Sequence, residues 1–209
     1  MRWTVPNILT VARLVAAPAV PVMFLYFSRP WADFLALTLF ILAAVTDWFD
    51  GYLARLWQQQ SRFGAMLDPI ADKAMVVIAI VVITGYSGMN PWLILPVTVI
   101  LFREVFVSGL REFLGADAGR LAVTRLAKWK TTAQMVAIAV LFLGTGLAFI
   151  EHGRPPRVGE PGLPWSLTWS ALATQVGLAL IWLAAVLTAL TGLDYFRKSL
   201  PYLKDHRHD

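Results

Sequence analysis

Four aspartates fall within 26 residues: Asp47, Asp50, Asp68 and Asp72. Residues three or four apart share one face of a helix, so Asp47 projects with Asp50, and Asp68 with Asp72. The segment runs Thr46-Asp47-Trp48-Phe49-Asp50-Gly51-Tyr52-Leu53-Ala54-Arg55, then a polar turn, then Gly64-Ala65-Met66-Leu67-Asp68-Pro69-Ile70-Ala71-Asp72-Lys73. Four carboxylates from two adjoining antiparallel helices form a set of hard oxygen donors, which suits Mg²⁺, Mn²⁺ or Ca²⁺. Like charges this close repel and push protons back on. Centred in a bilayer, the four would cost about 10–14 kcal/mol to insert. One or two divalent cations offset both penalties. The plainer alternative, helix-end acids in solvent paired with Arg55, Arg62 and Lys73, suits one aspartate better than four at this spacing.

The elements that carry these acids are membrane helices. The chain has 209 residues, 58% of them hydrophobic, with a mean hydropathy of +0.63. Soluble domains are about 45–50% apolar. No charged residue occurs in Ala74–Phe102 (29 residues), Trp165–Leu193 (29) or Thr131–Ile150 (20), and about 20 such residues span a bilayer. The expected fold is an all-α membrane bundle in one domain, residues 1–209. Its six spans lie near Asn7–Ser28, Trp31–Arg55, Gly64–Gly85, Pro91–Phe113, Arg125–Ile150 and Trp165–Phe196, with a Pro/Gly-rich loop over Glu151–Pro164. Six spans put both termini and the loops after the second and fourth on one side. That side takes 15 of the 18 Lys and Arg; Arg29, Arg154 and Arg157 fall on the other. Positive residues favour the cytoplasm, so the acids face the cytoplasm from the inner membrane. Arg2 with Ala17-Pro18-Ala19 faintly resembles a signal peptide, but Arg13 interrupts its apolar run.

Other chemistries find no support. There is no cysteine, hence no disulfide or thiolate. A net charge of +5 in a membrane protein sets topology and attracts anionic lipid rather than nucleic acid. No glycine loop followed by Lys-Ser or Lys-Thr occurs, and Gly144-Thr145-Gly146 is a fragment inside a span. His152, His206 and His208 lie in a loop and the tail, outside any embedded triad. Trp31, Trp92, Trp165 and Trp169 read as an interfacial belt. Gly51 and Ala54 share the face of Asp47 and Asp50, and Gly64 stands four before Asp68. Small residues there let a bulky ligand approach the backbone or let helices pack tightly.

The pattern Asp-x-x-Asp-Gly-x-x-Ala-Arg, eight residues, Gly, three residues, Asp, three residues, Asp resembles that of the CDP-alcohol phosphatidyltransferases. Asp47, Asp50, Gly51, Ala54, Arg55, Gly64, Asp68 and Asp72 fill all eight fixed positions. The resemblance implies a CDP-linked lipid substrate, with two Mg²⁺ or Mn²⁺ ions held by the four aspartates across its diphosphate. It implies that Arg55 contacts the diphosphate, that Asn7, Asp50, Gly51, Ala54 and Gly64 border the CDP group, and that Asp72 takes the proton of the acceptor hydroxyl. A homodimer is expected on the same ground.

Nearly the whole chain resembles the branch of that family that forms phosphatidylglycerophosphate from CDP-diacylglycerol and glycerol 3-phosphate. The similar stretches are Val5–Leu14, Ser61–Pro69, Arg103–Glu112 and Lys128–Met135, with Ala127 departing from a usual glycine. Glycerol 3-phosphate needs cations, and Arg62, Arg103, Arg111, Lys128 and Lys130 are the candidates. Each is equally explained as a lipid-headgroup anchor; Arg103, embedded in an apolar run, fits that explanation least. The same chemistry on inositol phosphate, serine or phosphatidylglycerol is the alternative. A divalent-cation transporter is disfavoured, because the acids cluster at one side and no acid lies deep in the fifth or sixth span.

Overall fold

The computed structural model describes residues 4–56, 61–115, 125–154 and 168–203; the side chains of 48, 50–55, 125–128 and 203 are outside the description. Six helices follow one another: α1 Val5–Tyr26, α2 Trp31–Leu56, α3 Arg62–Tyr86, α4 Pro91–Leu114, α5 Arg125–His152 and α6 Trp169–Leu203. No strand occurs among the described residues. Four helices, α1, α4, α5 and α6, are long and apolar enough to cross a membrane by composition alone. α2 and α3 are as long but carry the acids. The chain is a multi-pass membrane protein.

Local chemistry sets the helix ends. Ser61 caps α3, its hydroxyl accepting from Gly64 N at 2.9 Å. Asn90 caps α4, its side chain accepting from Trp92 N at 2.9 Å, with Pro91 at the first helical position, where its missing N–H costs nothing. Between them, Gly88 and Met89 turn the chain at positive φ. α6 corrects the expected end at Phe196 by continuing to Leu203. Asp194 and Lys198 pair at 2.7 Å across one turn, and Ser199 is fully buried, so packing carries the helix beyond its apolar run.

The bundle packs around Phe40, Met75, Ile80, Ile100, Ile138, Phe142 and Ile181. α5 and α6 form the longest seam, closed by small residues. A Cβ on Gly144 would stand 2.9 Å from Thr174 Oγ1, and one on Gly177 would stand 2.8 Å from Leu141 Cδ2. α1 packs along both α2 and α3, whereas α2 and α3 barely touch. The two acid-bearing helices do come together at Arg13, whose Nη1 Asp47 and Asp72 share, while among the described residues α1 supplies most of the packing of each. Many large apolar side chains face outward, among them Val15, Leu25, Phe102, Val105 and Phe113, as a lipid-facing surface requires. Trp31, Trp92 and Trp169 are exposed at the helix ends away from the acids, where a belt was expected; Trp165 lies outside the described residues.

Candidate active site

Asp47 stands near the end of α2, and Asp68 and Asp72 in the first half of α3. Their carboxylates converge on a residue of a third helix. Arg13 of α1 donates from Nη1 to Oδ1 of both Asp47 and Asp72, and its Nη2 lies 3.8 Å from Asp68 Oδ1. The guanidinium side is 2% exposed and the three carboxylate side chains 43–50%. The cation therefore forms a floor, and the acids open toward the end of the bundle. Thr10, one turn before Arg13, donates to Asp68 Oδ1 at 2.7 Å.

Asp50, Gly51, Ala54 and Arg55 continue α2 beyond Asp47, but their side chains lie outside the description. Gly64 is buried against α1: a Cβ there would stand 2.8 Å from Asn7 Oδ1. The Ser61 hydroxyl donates to the same Asn7 oxygen at 2.7 Å. Asn7, Ser61 and Gly64 thus lock the start of α3 to α1 beside the acids. For Gly64 the packing role is the one on view.

Among the described residues, no three acidic or histidine side chains are spaced as a ready ligand shell for one ion. The donor set nevertheless fits a hard divalent cation. Three carboxylates aim oxygens at one positively charged point, and set against one guanidinium they leave two negative charges over. Asp47, Asp68 and Asp72 are the described residues that would hold it; Asp50 follows Asp47 by three residues on α2, its side chain outside the description.

A second polar group lies next to the acids. Lys73 donates to Ser108 Oγ on α4. One turn earlier on α4, Glu104 accepts from Lys130 of α5 and lies 3.2 Å from Arg103 Nη1. Of the expected acceptor cations, the structure brings Arg103 and Lys130 together on Glu104, with Lys130 buried and Arg103 half-buried. Arg111 is exposed, its guanidinium 5.2 Å from the Tyr195 ring centroid. Arg62 is exposed at the start of α3. The Lys128 side chain lies outside the description.

Sequence reasoning passed over Arg13, Thr10, Glu104 and Ser108. Arg13 carried the strongest signal, since a charged residue inside an apolar span is functional by default. It registered only as an interruption of that span.

The family model of CDP-alcohol phosphatidyltransferase matches residues 3–190. A protein of Cereibacter sphaeroides is 70% identical over 99% of this chain and 100% of its own length. Proteins of Escherichia coli (98% of this chain, 100% of theirs) and Pectobacterium atrosepticum (100% and 98%) are each 38% identical. All three bear the name CDP-diacylglycerol–glycerol-3-phosphate 3-phosphatidyltransferase. With its acids gathered at one end of a six-helix bundle and its sequence matched from end to end, this chain belongs to the CDP-alcohol phosphatidyltransferase family.

Proposed function

We propose that this chain transfers the phosphatidyl group of CDP-diacylglycerol to glycerol 3-phosphate, forming phosphatidylglycerophosphate and CMP. The observation that carries the reading is the convergence of Asp47, Asp68 and Asp72 beside the partly buried Arg103–Glu104–Lys130 group. Relatives that bear the name of this reaction match the chain over its whole length.

In this reading Asp47, Asp50, Asp68 and Asp72 hold two Mg²⁺ or Mn²⁺ ions, which supply positive charge to the diphosphate. Arg13 gathers three of these carboxylates at one point, and Arg55 adds a fixed cation from the end of α2. Asn7 and Gly64, with Gly51 and Ala54, border the CDP group. Arg103 and Lys130 orient the acceptor phosphate. Asp72 accepts the proton of the acceptor hydroxyl, whose oxygen bonds to the lipid-bearing phosphorus. The bond from that phosphorus to the bridging oxygen breaks, and CMP leaves with that oxygen. In-line phosphoryl chemistry of this kind depends on positioning and charge rather than on a covalent intermediate. The same reading places the site on the cytoplasmic face of the inner membrane and the chain in a homodimer.

Purified protein supplied with CDP-diacylglycerol, Mg²⁺ and each acceptor in turn is expected to release CMP with glycerol 3-phosphate. A chelator is expected to stop release and added Mg²⁺ to restore it. Release only with inositol phosphate, serine or phosphatidylglycerol would change the acceptor. No release with any acceptor would sink the reading.

A further inference from the structure

Glu104 has no part in the chemistry above, yet it sits among the cations assigned to the acceptor. Its Oε1 is shared between two helices: Lys130 donates to it from α5, and Arg103 Nη1 of α4 lies 3.2 Å away. The side chains of Glu104, Arg103 and Lys130 are 15%, 17% and 8% exposed, so water competes weakly for these contacts. Lys73 enters from α3 through Ser108, which in turn donates to the Glu104 carbonyl oxygen at 2.6 Å.

Two further features show that this group is arranged. The Arg103 stem runs over Gly192 of α6, where a Cβ would stand 2.9 Å from Arg103 Cγ. Gln134, one turn beyond Lys130, is 4% exposed, and its Oε1 has no hydrogen-bond partner among the described residues; nor has Arg103 Nε. Buried polar atoms are ordinarily satisfied, so the junction of α4, α5 and α6 has hydrogen-bonding capacity left for a polar ligand. Lys73, Arg103 and Lys130 against one carboxylate leave two positive charges. A phosphate monoester near neutrality carries about two negative ones.

We propose that Glu104 is a positioning residue for the acceptor. It holds Arg103 and Lys130 as a preformed pair of cations, so that the phosphate of glycerol 3-phosphate meets them already in place. Without the carboxylate the two cations repel each other, and binding must first bring them together. This deepens the reading of the acceptor as glycerol 3-phosphate and rests on it.

The test is a kinetic comparison of the parent enzyme with Glu104→Gln and Glu104→Asp, following CMP release while each substrate is varied. Glu104→Gln is expected to raise KM for glycerol 3-phosphate by about tenfold or more, since contacts to a buried charge are worth that much. KM for CDP-diacylglycerol should stay within about twofold of the parent, as the affinity lost belongs to the acceptor alone. Glu104→Asp, which keeps the charge, should fall between the two. A parental KM for glycerol 3-phosphate in Glu104→Gln, or an equal rise for both substrates, overturns the proposal. Should Glu104→Gln not fold, Glu104→Asp decides alone: a selective rise in acceptor KM supports the proposal, and parental constants overturn it. A parent enzyme that releases no CMP with glycerol 3-phosphate defeats the acceptor reading instead, which keeps the two failures apart.

Discussion

Arg13 and Asp72 show how differently single residues contribute here. Asp72 is half-exposed, so removing its charge changes little of the packing. Asp72→Asn should abolish CMP release and shift stability by less than about 1 kcal/mol, as activity and thermal unfolding in detergent would measure; substantial turnover would remove Asp72 as the base. Arg13 is the buried member, and three carboxylates depend on it. Breaking a fully buried pair costs about 3–5 kcal/mol, but these acids are nearly half in solvent. Arg13→Gln should therefore cost about 1–2 kcal/mol without divalent ions. Added Mg²⁺ should raise its unfolding midpoint more than the parent's, because the ion replaces the lost charge. An equal rise in both would mean that Arg13 does not balance the acids. The acids were legible in the sequence because their spacing is itself the signal. The partner of Arg13 was not, since 34 residues separate it from Asp47 and 59 from Asp72, and only packing brings them together.

Among the helices, α1 does the work that the sequence reading gave to the turn between α2 and α3. A turn implies that its flanking helices are neighbours; their acids do meet, on Arg13, but α1 supplies most of the packing of each helix. Helix ends were legible wherever a cap marks them, as at Asn90-Pro91. The end of α6 was not, because hydropathy falls before the helix does. The α1–α3 contact can be tested at Gly64, which the sequence offered both as a ligand clearance and as a packing site. Gly64→Ala forces a methyl to within 2.8 Å of Asn7 Oδ1, and overpacking of this kind costs about 1–3 kcal/mol. If packing is the main role, Asn7→Ala combined with Gly64→Ala should recover most of that stability, the two changes being strongly non-additive. Thermal unfolding of the two single variants and the double variant measures it. Simple addition of their effects would mean that Gly64 does not bear on Asn7.

Across the whole molecule, the two ends of the bundle are built for different tasks. At the end with the acids, the aspartates are half-open and outnumber the one cation they share. At the other end one ion pair is closed and matched. Arg29 pairs with Asp33, which is fully buried, and the Thr145 hydroxyl donates to Asp33 Oδ1 at 2.7 Å. The Arg29 guanidinium also lies 4.0 Å from the Phe149 ring centroid, 5.0 Å from that of Tyr86 and 5.5 Å from that of Phe24. One cation thus joins the far ends of α1, α2, α3 and α5. In the sequence Arg29 is a single basic residue at a span end, indistinguishable from an interfacial anchor, and Asp33 has no second acid within a turn to mark it. From Arg13 to Tyr26, α1 covers about 20 Å at 1.5 Å per residue, and Arg29 lies beyond that. Asp33→Asn leaves the guanidinium without a charged partner in its aromatic cage, so it should destabilise the bundle by about 2–4 kcal/mol. The KM values for both substrates should stay at the parental level when measured below the lowered unfolding temperature. A variant that keeps parental stability, or that loses substrate affinity while still folded, would show that the far end is no independent clamp.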